Sequence, residues 1–534
     1  MSRFGRLSEA ANLHRQGAPT VQSFVAVLAS GIVLAAGLLV PATPALAASC
    51  AGTMENDFNG DGVRDLASAD PEAAAAGVSA AGTVTVLYGA TGAVQVIHQD
   101  TAGVPDANEA GERFGLSLTS YDANSDGCSD LLVGAPYEDI GTQVDAGAVC
   151  LLYGSPAGLL TGATAAISYD QSSSAVPGEA EAGDWFGYSL AASKTPANVP
   201  FLLVGAPGED LGTTADAGTV DLLHAGTWAG FDQGSAGYPD TDTSDSVVTT
   251  YEANDRFGYA VAATPYHIAV GAPGETALGS AFTGEVAVYS TTLTTATTPI
   301  PTLLRAATQD GPLSGAAEAN DLFAASLSMA AYHPSGAMLL PRSLIAVGIP
   351  GEDLTVDGVD HDSAGRVMVL QANESGTVVE FGEYSQSVAN VDDDIASGDH
   401  FGQQVLVVNR TPNGYATSDT MLLMVGVPGK DAPGKADTGY VHSFSLLGAA
   451  GDADRILRPG TAGLPGAEAA QDFRGLSFAA SADHLYLATP YAENQAVHRV
   501  PWANVLSSGT SAVTTYQAGS TSIPAGASFG AAVS

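Results

Sequence analysis

The chain has 534 residues, 57 of them acidic and 17 basic, for a formal net charge of −40. That balance excludes a phosphate-coating role, because nucleic-acid binders need clustered Lys and Arg to displace counterions. Its 63 Gly and 28 Pro make it turn-rich, 45% apolar residues suffice for a core, and three Cys are too few for a disulfide scaffold to replace that core.

Arg3, Arg6 and Arg15 form a positive front, an apolar run extends from Phe24 to Val40, and Ala45-Leu46-Ala47 is a small-x-small cleavage site. Residues 1–48 therefore read as a signal peptide, and residues 49–534 as the mature, secreted, extracellular chain. A membrane anchor is the weaker reading, since Pro41 and Pro44 follow the run and no basic stop-transfer cluster comes after. Ala47-Ala48-Ser49 is a poor match to a lipidation motif, so Cys50 is expected to carry no lipid. In an oxidising compartment two of Cys50, Cys128 and Cys150 are expected to pair, and the sequence leaves open which two.

Two segments carry explicit metal chemistry. The first runs Asp57-Phe58-Asn59-Gly60-Asp61-Gly62-Val63-Arg64-Asp65, the second Asp122-Ala123-Asn124-Ser125-Asp126-Gly127-Cys128-Ser129-Asp130. Each places oxygen side chains at positions 1, 3, 5 and 9, a Gly at 6 for a sharp turn, and a backbone carbonyl at 7 from Val63 or Cys128. Calcium suits such a loop because it accepts six to eight oxygen ligands in flexible geometry. An EF-hand would need flanking helices and a Glu at position 12, whereas an apolar strand begins directly after Asp65 and Asp130. The bland alternative is an Asn/Asp/Gly turn that binds nothing. Two copies at equivalent places favour two Ca2+ sites.

Internal periodicity decides the architecture. Phe-Gly recurs at Phe114-Gly115, Phe186-Gly187, Phe257-Gly258 and Phe401-Gly402, with variants Phe323-Ala324 and Phe473-Arg474. Each is followed by an apolar run into Gly134-Ala135-Pro136, Gly205-Ala206-Pro207, Gly271-Ala272-Pro273, Gly348-Ile349-Pro350, Gly426-Val427-Pro428 or Ala488-Thr489-Pro490, at steps of 62 to 78 residues. Each repeat reads as four short strands, and the closing Pro marks where ladder pairing stops. Four-stranded sheets repeated radially make propeller blades that bury each other's faces. Ala69-Asp70-Pro71 is a degenerate member of the series with no Phe-Gly strand before it, and Phe529-Gly530-Ala531-Ala532-Val533 begins a repeat that stops after one strand. Together the two ends complete a seventh blade and leave no unpaired edge.

The paired motifs resemble the FG-GAP repeat, which forms the seven-bladed propeller of integrin alpha-subunit headpieces. The resemblance spans nearly all of the mature chain and implies an all-β, seven-bladed propeller whose first blade is closed by the C-terminal strand. It also implies metal loops in the hairpins ahead of strand two. Integrin propellers typically have three or four such loops; here the other hairpins, such as Lys194-Thr195-Pro196-Ala197-Asn198, lack the carboxylates.

A second acidic set follows the Gly-Ala-Pro motifs: Glu138-Asp139 with Asp145, Glu209-Asp210 with Asp216, Glu352-Asp353 with Asp362, and Asp431 with Asp437. It reads either as an acidic rim or, by preference, as Asx turns in which the Asp before Ala-Gly or Thr-Gly starts strand three. No Gly-x-Ser-x-Gly, His-Glu-x-x-His or Cys-x-x-Cys occurs, and no catalytic residue is nominated. His98, His224, His267 and His442 fall in predicted strands, where packed or rim histidines are expected. The chain is thus expected to be a monomeric recognition or adhesion module for an extracellular protein or glycan. The alternative is a secreted hydrolase, of esterase or phospholipase type, with its site on a propeller face.

Overall fold

The computed structural model describes residues 50 and 54–534, apart from 236, 239–250, 278, 310–312, 336–341, 390, 392, 452–453 and 508. Residues 1–48, expected to be a signal peptide, lie outside the described residues.

Seven four-stranded antiparallel sheets follow one another along the chain. Blade 1 joins Leu66–Asp70, Thr83–Leu87 and Val94–Ile97 to Ala532–Val533. Blades 2 to 7 are each contiguous in sequence and begin at Ser117–Tyr121, Ser189–Lys194, Ala260–Ala263, Ser326–Tyr332, Gln404–Asn409 and Phe478–Ala480. Each of these first strands touches the first strands of the blades on either side, and Ala532–Val533 touches those of blades 7 and 2. The contacts run round a closed ring. Seven apolar clusters fill the seams, one between each pair of neighbouring blades, so no blade has a core of its own. Burial between blades is what a repeat too thin to enclose a core requires.

The repeated motifs are the parts of this seam. Phe114, Phe186, Phe257, Phe323 and Phe401 are buried in the inter-blade clusters. Gly187 takes φ +93°, which a side chain would strain, and its N–H donates to the Gly205 carbonyl at 3.0 Å. Gly205 lies so close to the next blade that a Cβ would come within 2.1 Å of the Gly258 carbonyl oxygen. Ser189 Oγ donates to that same carbonyl at 2.6 Å, as Ser117 does to Gly187 and Ser326 to Gly402. The Gly of one motif and the Gly of the next blade's other motif therefore need each other's missing side chains.

Blade 7 corrects the alignment of Phe473-Arg474. A Cβ on Gly439 would strike the backbone of Arg474, just as one on Gly218 would strike Phe257, and Gly475 takes φ +100°. Arg474-Gly475 therefore occupies the Phe-Gly place, and Phe473 takes the positive φ found one residue earlier at Trp185 and Arg256. Matching on Phe shifted the register by one because Arg replaces Phe here; its guanidinium is buried against Asp472 at 2.6 Å. Two small elements lie outside the repeat pattern: the helix Trp502–Ser507, whose Trp502 joins the seam of blades 6 and 7, and the hairpin Leu354–Val356 with Val359–His361 in blade 5.

Candidate metal centres

Both oxygen-rich segments form tight loops directly ahead of the second strand of a blade. In the first, the side-chain oxygens fold inward over the turn. Asp57 Oδ1 and Asn59 Oδ1 both accept from the Asp61 N–H at 3.0 and 3.1 Å, Asp57 Oδ2 accepts from Gly62 at 2.8 Å, and Asp61 Oδ1 accepts from Val63 at 2.9 Å. The second loop repeats the pattern: Asp122 and Asn124 accept from the Asp126 N–H at 3.1 and 2.8 Å, and Asp126 accepts from Cys128 at 2.9 Å. Positions 1, 3 and 5 thus converge in both copies.

Position 9 plays a second part. Asp65 Oδ2 accepts from Phe58 N–H at 2.9 Å and Oδ1 from Gly89 N–H at 2.8 Å; Asp130 does the same with Ala123 and Gly154, both at 2.8 Å. Each clasps its loop to the end of the third strand of its blade. Both are buried, and burial pushes each carboxyl up to about 7 despite the backbone bonds that lower it, with the loop's other carboxylates adding to the rise. A carboxylate oxygen can accept more than one bond, so the clasp leaves capacity for a cation.

The loops are held side by side. Ser129 N–H donates to the Asp57 carbonyl at 3.0 Å, and Phe58 inserts into the seam between blades 1 and 2. Cys50 pairs with Cys128, the position-7 residue of the second loop, and leaves Cys150 free and buried. A Cβ on Gly60 would come within 2.5 Å of Cys50, and one on Gly127 within 3.2 Å, so the disulfide end is wedged between both loop turns. Cys50 and Cys128 also lie within 4.8 Å of Asp126, but bonded sulfurs offer no thiolate, so that trio is not a metal site.

One participant went unnoticed in the sequence. Lys194, from the carboxylate-free hairpin of blade 3, reaches across to place Nζ 2.9 Å from Asp122 Oδ2. The second loop therefore carries its own competing cation, whereas among the described residues no Lys or Arg pairs with the carboxylates of the first, Arg64 pairing with Glu55 instead. Nothing in the spacing of the Lys194 hairpin marks this, because the contact crosses between blades.

The acidic residues after the Gly-Ala-Pro motifs divide into two kinds. Asp139, Asp210, Asp353 and Asp431 are exposed and accept the N–H groups of Asp145, Asp216, Ser363 and Asp437 at 2.7 to 2.9 Å. The turn is real, but it is capped by the earlier Asp, so the expectation that the later Asp supplies the cap is corrected. Glu138, Glu209 and Glu352 do not belong to any rim: they are buried, each bonded by a Gln amide at 2.5 to 2.6 Å. Gln99, Gln171 and Gln309 come from the preceding blade, which explains why the pairing escaped a repeat-by-repeat reading.

Against known families, residues 114–152, covering the first three strands of blade 2, match the FG-GAP repeat. The chain carries an FG-GAP repeat. The phosphatidylinositol-glycan-specific phospholipases D of Rattus norvegicus and Mus musculus are each 32% identical to it over 152 residues, 28% of this chain and 17% of theirs. The matched stretch is thus about a sixth of those relatives' length. The periplasmic gluconolactonase of Pseudomonas aeruginosa aligns over 87% of this chain and 98% of its own at 12% identity, with a TM-score of 0.42. That likeness carries no functional argument. What the FG-GAP match and the seven sheets establish together is an FG-GAP propeller, with the two oxygen-rich loops on the face opposite its strand two-to-three turns.

Proposed function

We propose that the protein is an exported, calcium-stabilised FG-GAP propeller that recognises an extracellular protein or glycan through the loops of one face. The observation that carries the calcium reading is the convergence of positions 1, 3 and 5 in both loops, three oxygen side chains drawn over one turn twice. Asp57, Asn59, Asp61 and Asp65, with the Val63 carbonyl, would hold one ion; Asp122, Asn124, Asp126 and Asp130, with the Cys128 carbonyl, the other. The ion would supply charge neutralisation, fixing loops whose carboxylates otherwise repel. The Cys50–Cys128 pair fits an oxidising compartment, which supports export. Among the described residues no helix is long and apolar enough to cross a membrane.

Recognition is supported on the opposite face. The strand two-to-three turns there expose Val144, Phe282 and Val359 among the exposed Asp139, Asp210, Asp353 and Asp431. Apolar contacts framed by carboxylates suit a partner that brings apolar and basic groups together. The hydrolase reading rests on a partial match to phospholipases. His442, flanked by Asp454 at 3.0 Å and Asp393 at 3.2 Å, has the partners of a general base but is fully buried, so no substrate reaches it. Pull-down from extracellular material with and without Ca2+, beside an ester, phosphoester and glycoside screen, tests the choice; turnover of any of these substrates with no captured partner would reverse it.

Ca2+ at a hundred times its Kd is expected to add about 2.7 kcal/mol per site by mass action and to raise the melting temperature by a few degrees. Asp61→Ala and Asp126→Ala should each remove one bound ion, both residues being exposed and central in their loops. Equal midpoints in Ca2+ and in chelator would end the calcium reading. Lys194→Met should tighten Ca2+ at the second loop by about twofold to fivefold, the range for a half-exposed ion pair, and leave the first unchanged. Calorimetric titration in the Asp61→Ala background removes the first loop from the signal.

A further inference from the structure

A second constellation of oxygens lies where blade 2 meets blade 3, on the face opposite the two loops. Gln171, Asp184, Glu209 and Asp221 are 3%, 1%, 8% and 1% exposed. Gln171 Nε2 donates to Glu209 Oε2 at 2.6 Å, and the turn that carries Glu209 is tied to Asp184 by the Gly208 N–H, 3.1 Å from the Asp184 carbonyl. Asp184 Oδ2 accepts from Glu181 N–H at 2.5 Å. The remaining acceptors have no donor: Gln171 Oε1, Asp184 Oδ1 and both oxygens of Asp221 are buried and unpaired. Such atoms are costly to bury, so each calls for a group that the chain itself does not supply.

Blades 5 and 6 hold a cation at this place, whereas the Gln99–Glu138 and Gln233–Glu275 pairs of blades 2 and 4 have no Lys or Arg bonded to them among the described residues. Blade 6 has the same arrangement, with Gln386 bonded to Asp399, but Lys430 stands where blade 3 has Glu209, and its Nζ lies 3.0 Å from Asp399 and 3.2 Å from Asp393. In blade 5 the counterpart Glu352 is met by Arg366 at 2.6 Å. Two blades thus neutralise this place with a built-in cation. Blade 3 adds carboxylates there instead and, among the described residues, no Lys or Arg pairs with them. Burial, and after it the neighbouring carboxylates, push Asp184 up to about 8 and Glu209 up to about 7.

We propose that Gln171, Asp184 and Glu209 form an interior binding site for a hard divalent cation of the Ca2+ type, with Asp221 as a further buried carboxyl group beside it. Every donor is an oxygen, two from carboxylates and one from an amide, which favours such an ion over one that prefers thiolate or imidazole. The ion would join the blade 2 segment that carries Gln171 to the two halves of blade 3.

The test uses the full mature chain in an Asp61→Ala/Asp126→Ala background, which removes the loop sites. Trp185 adjoins Asp184, so Tb3+ bound here should luminesce on tryptophan excitation and be displaced by Ca2+. Asp184→Asn with Glu209→Gln should abolish that signal and lower bound Ca2+ by one per chain, counted by equilibrium dialysis. Glu209→Lys, which copies Lys430, should fold and also bind one Ca2+ fewer, and it supplies the count should the paired variant fail to fold. An unchanged Ca2+ count in Glu209→Lys, or no tryptophan-sensitised signal in the background protein, would overturn the proposal and leave a shared proton as the neutralising group.

Discussion

Deleting residues 527–534 is expected to open the propeller and to lower stability by several kcal/mol. The segment supplies Phe529, buried in the seam of blades 7 and 1, whose loss alone is worth about 3–5 kcal/mol. It also supplies all the donors of one buried carboxylate: Asp70 accepts from the N–H groups of Ala527 and Ser528 at 2.8 Å and from Ser528 Oγ at 2.9 Å. Without them a charge 3% exposed is left with no partner. The backbone pairs Ser68 with Val533 and Ala69 with Ala532, and Ala67 exchanges bonds with Ser534 at 3.0 and 3.2 Å, so removal bares the edge of Leu66–Asp70. Phe529→Ala should be damaging by itself, and Thr521→Ala, at an exposed position, should be neutral. Denaturant unfolding and sedimentation of the deletion variant check this; an unchanged midpoint and an unassociated chain would contradict it.

In chelator, the melting temperature is expected to fall steadily from pH 7 to pH 9. Burial pushes Glu138 up to about 9 and Asp184 to about 8, from ordinary values of 4.5 and 3.8. Over this window the unfolded chain has already lost these protons while the folded chain still holds them. Folding therefore takes up protons, and stability declines with rising pH by about 1.4 kcal/mol per unit for each proton held. His442 acts in the same direction. Burial lowers its pKa, but the bonds to Asp393 and Asp454 outweigh burial and raise it, so its contribution is present below the ordinary value of 6.5 and lost as pH rises through the folded value. Burial holds His224, His267, His484 and His498 below 6.5, and those four oppose the trend only below pH 7. Glu138→Gln should flatten the decline. Thermal scans of both proteins across this range give the answer, and a midpoint that does not move with pH would refute the assignment.

The architecture was legible because its motifs are steric. A Gly that meets a neighbouring carbonyl at contact distance, and a Phe that fills a seam, tolerate few substitutes, so both recur at blade spacing in the sequence. The loops were legible for a similar reason: Asp57 to Asp65 and Asp122 to Asp130 are contiguous, and a local pattern of oxygens reads directly from the chain. Where Arg474 replaces Phe, the pattern misplaced the register by one residue, since the geometry follows the backbone and the motif follows the side chain.

By itself, then, the sequence determined the number of blades, the composition of both loops and the shared first blade, all properties of local periodicity or of complementary ends. Only the tertiary structure decided that Cys50 pairs with Cys128, that Lys194 competes for Asp122, and that Gln171 of one blade meets Glu209 of the next. Each of these joins residues 38 to 78 positions apart across a seam. Contacts of that range are set by how one sheet packs on its neighbour, and no spacing within a repeat encodes which side chains the packing brings face to face.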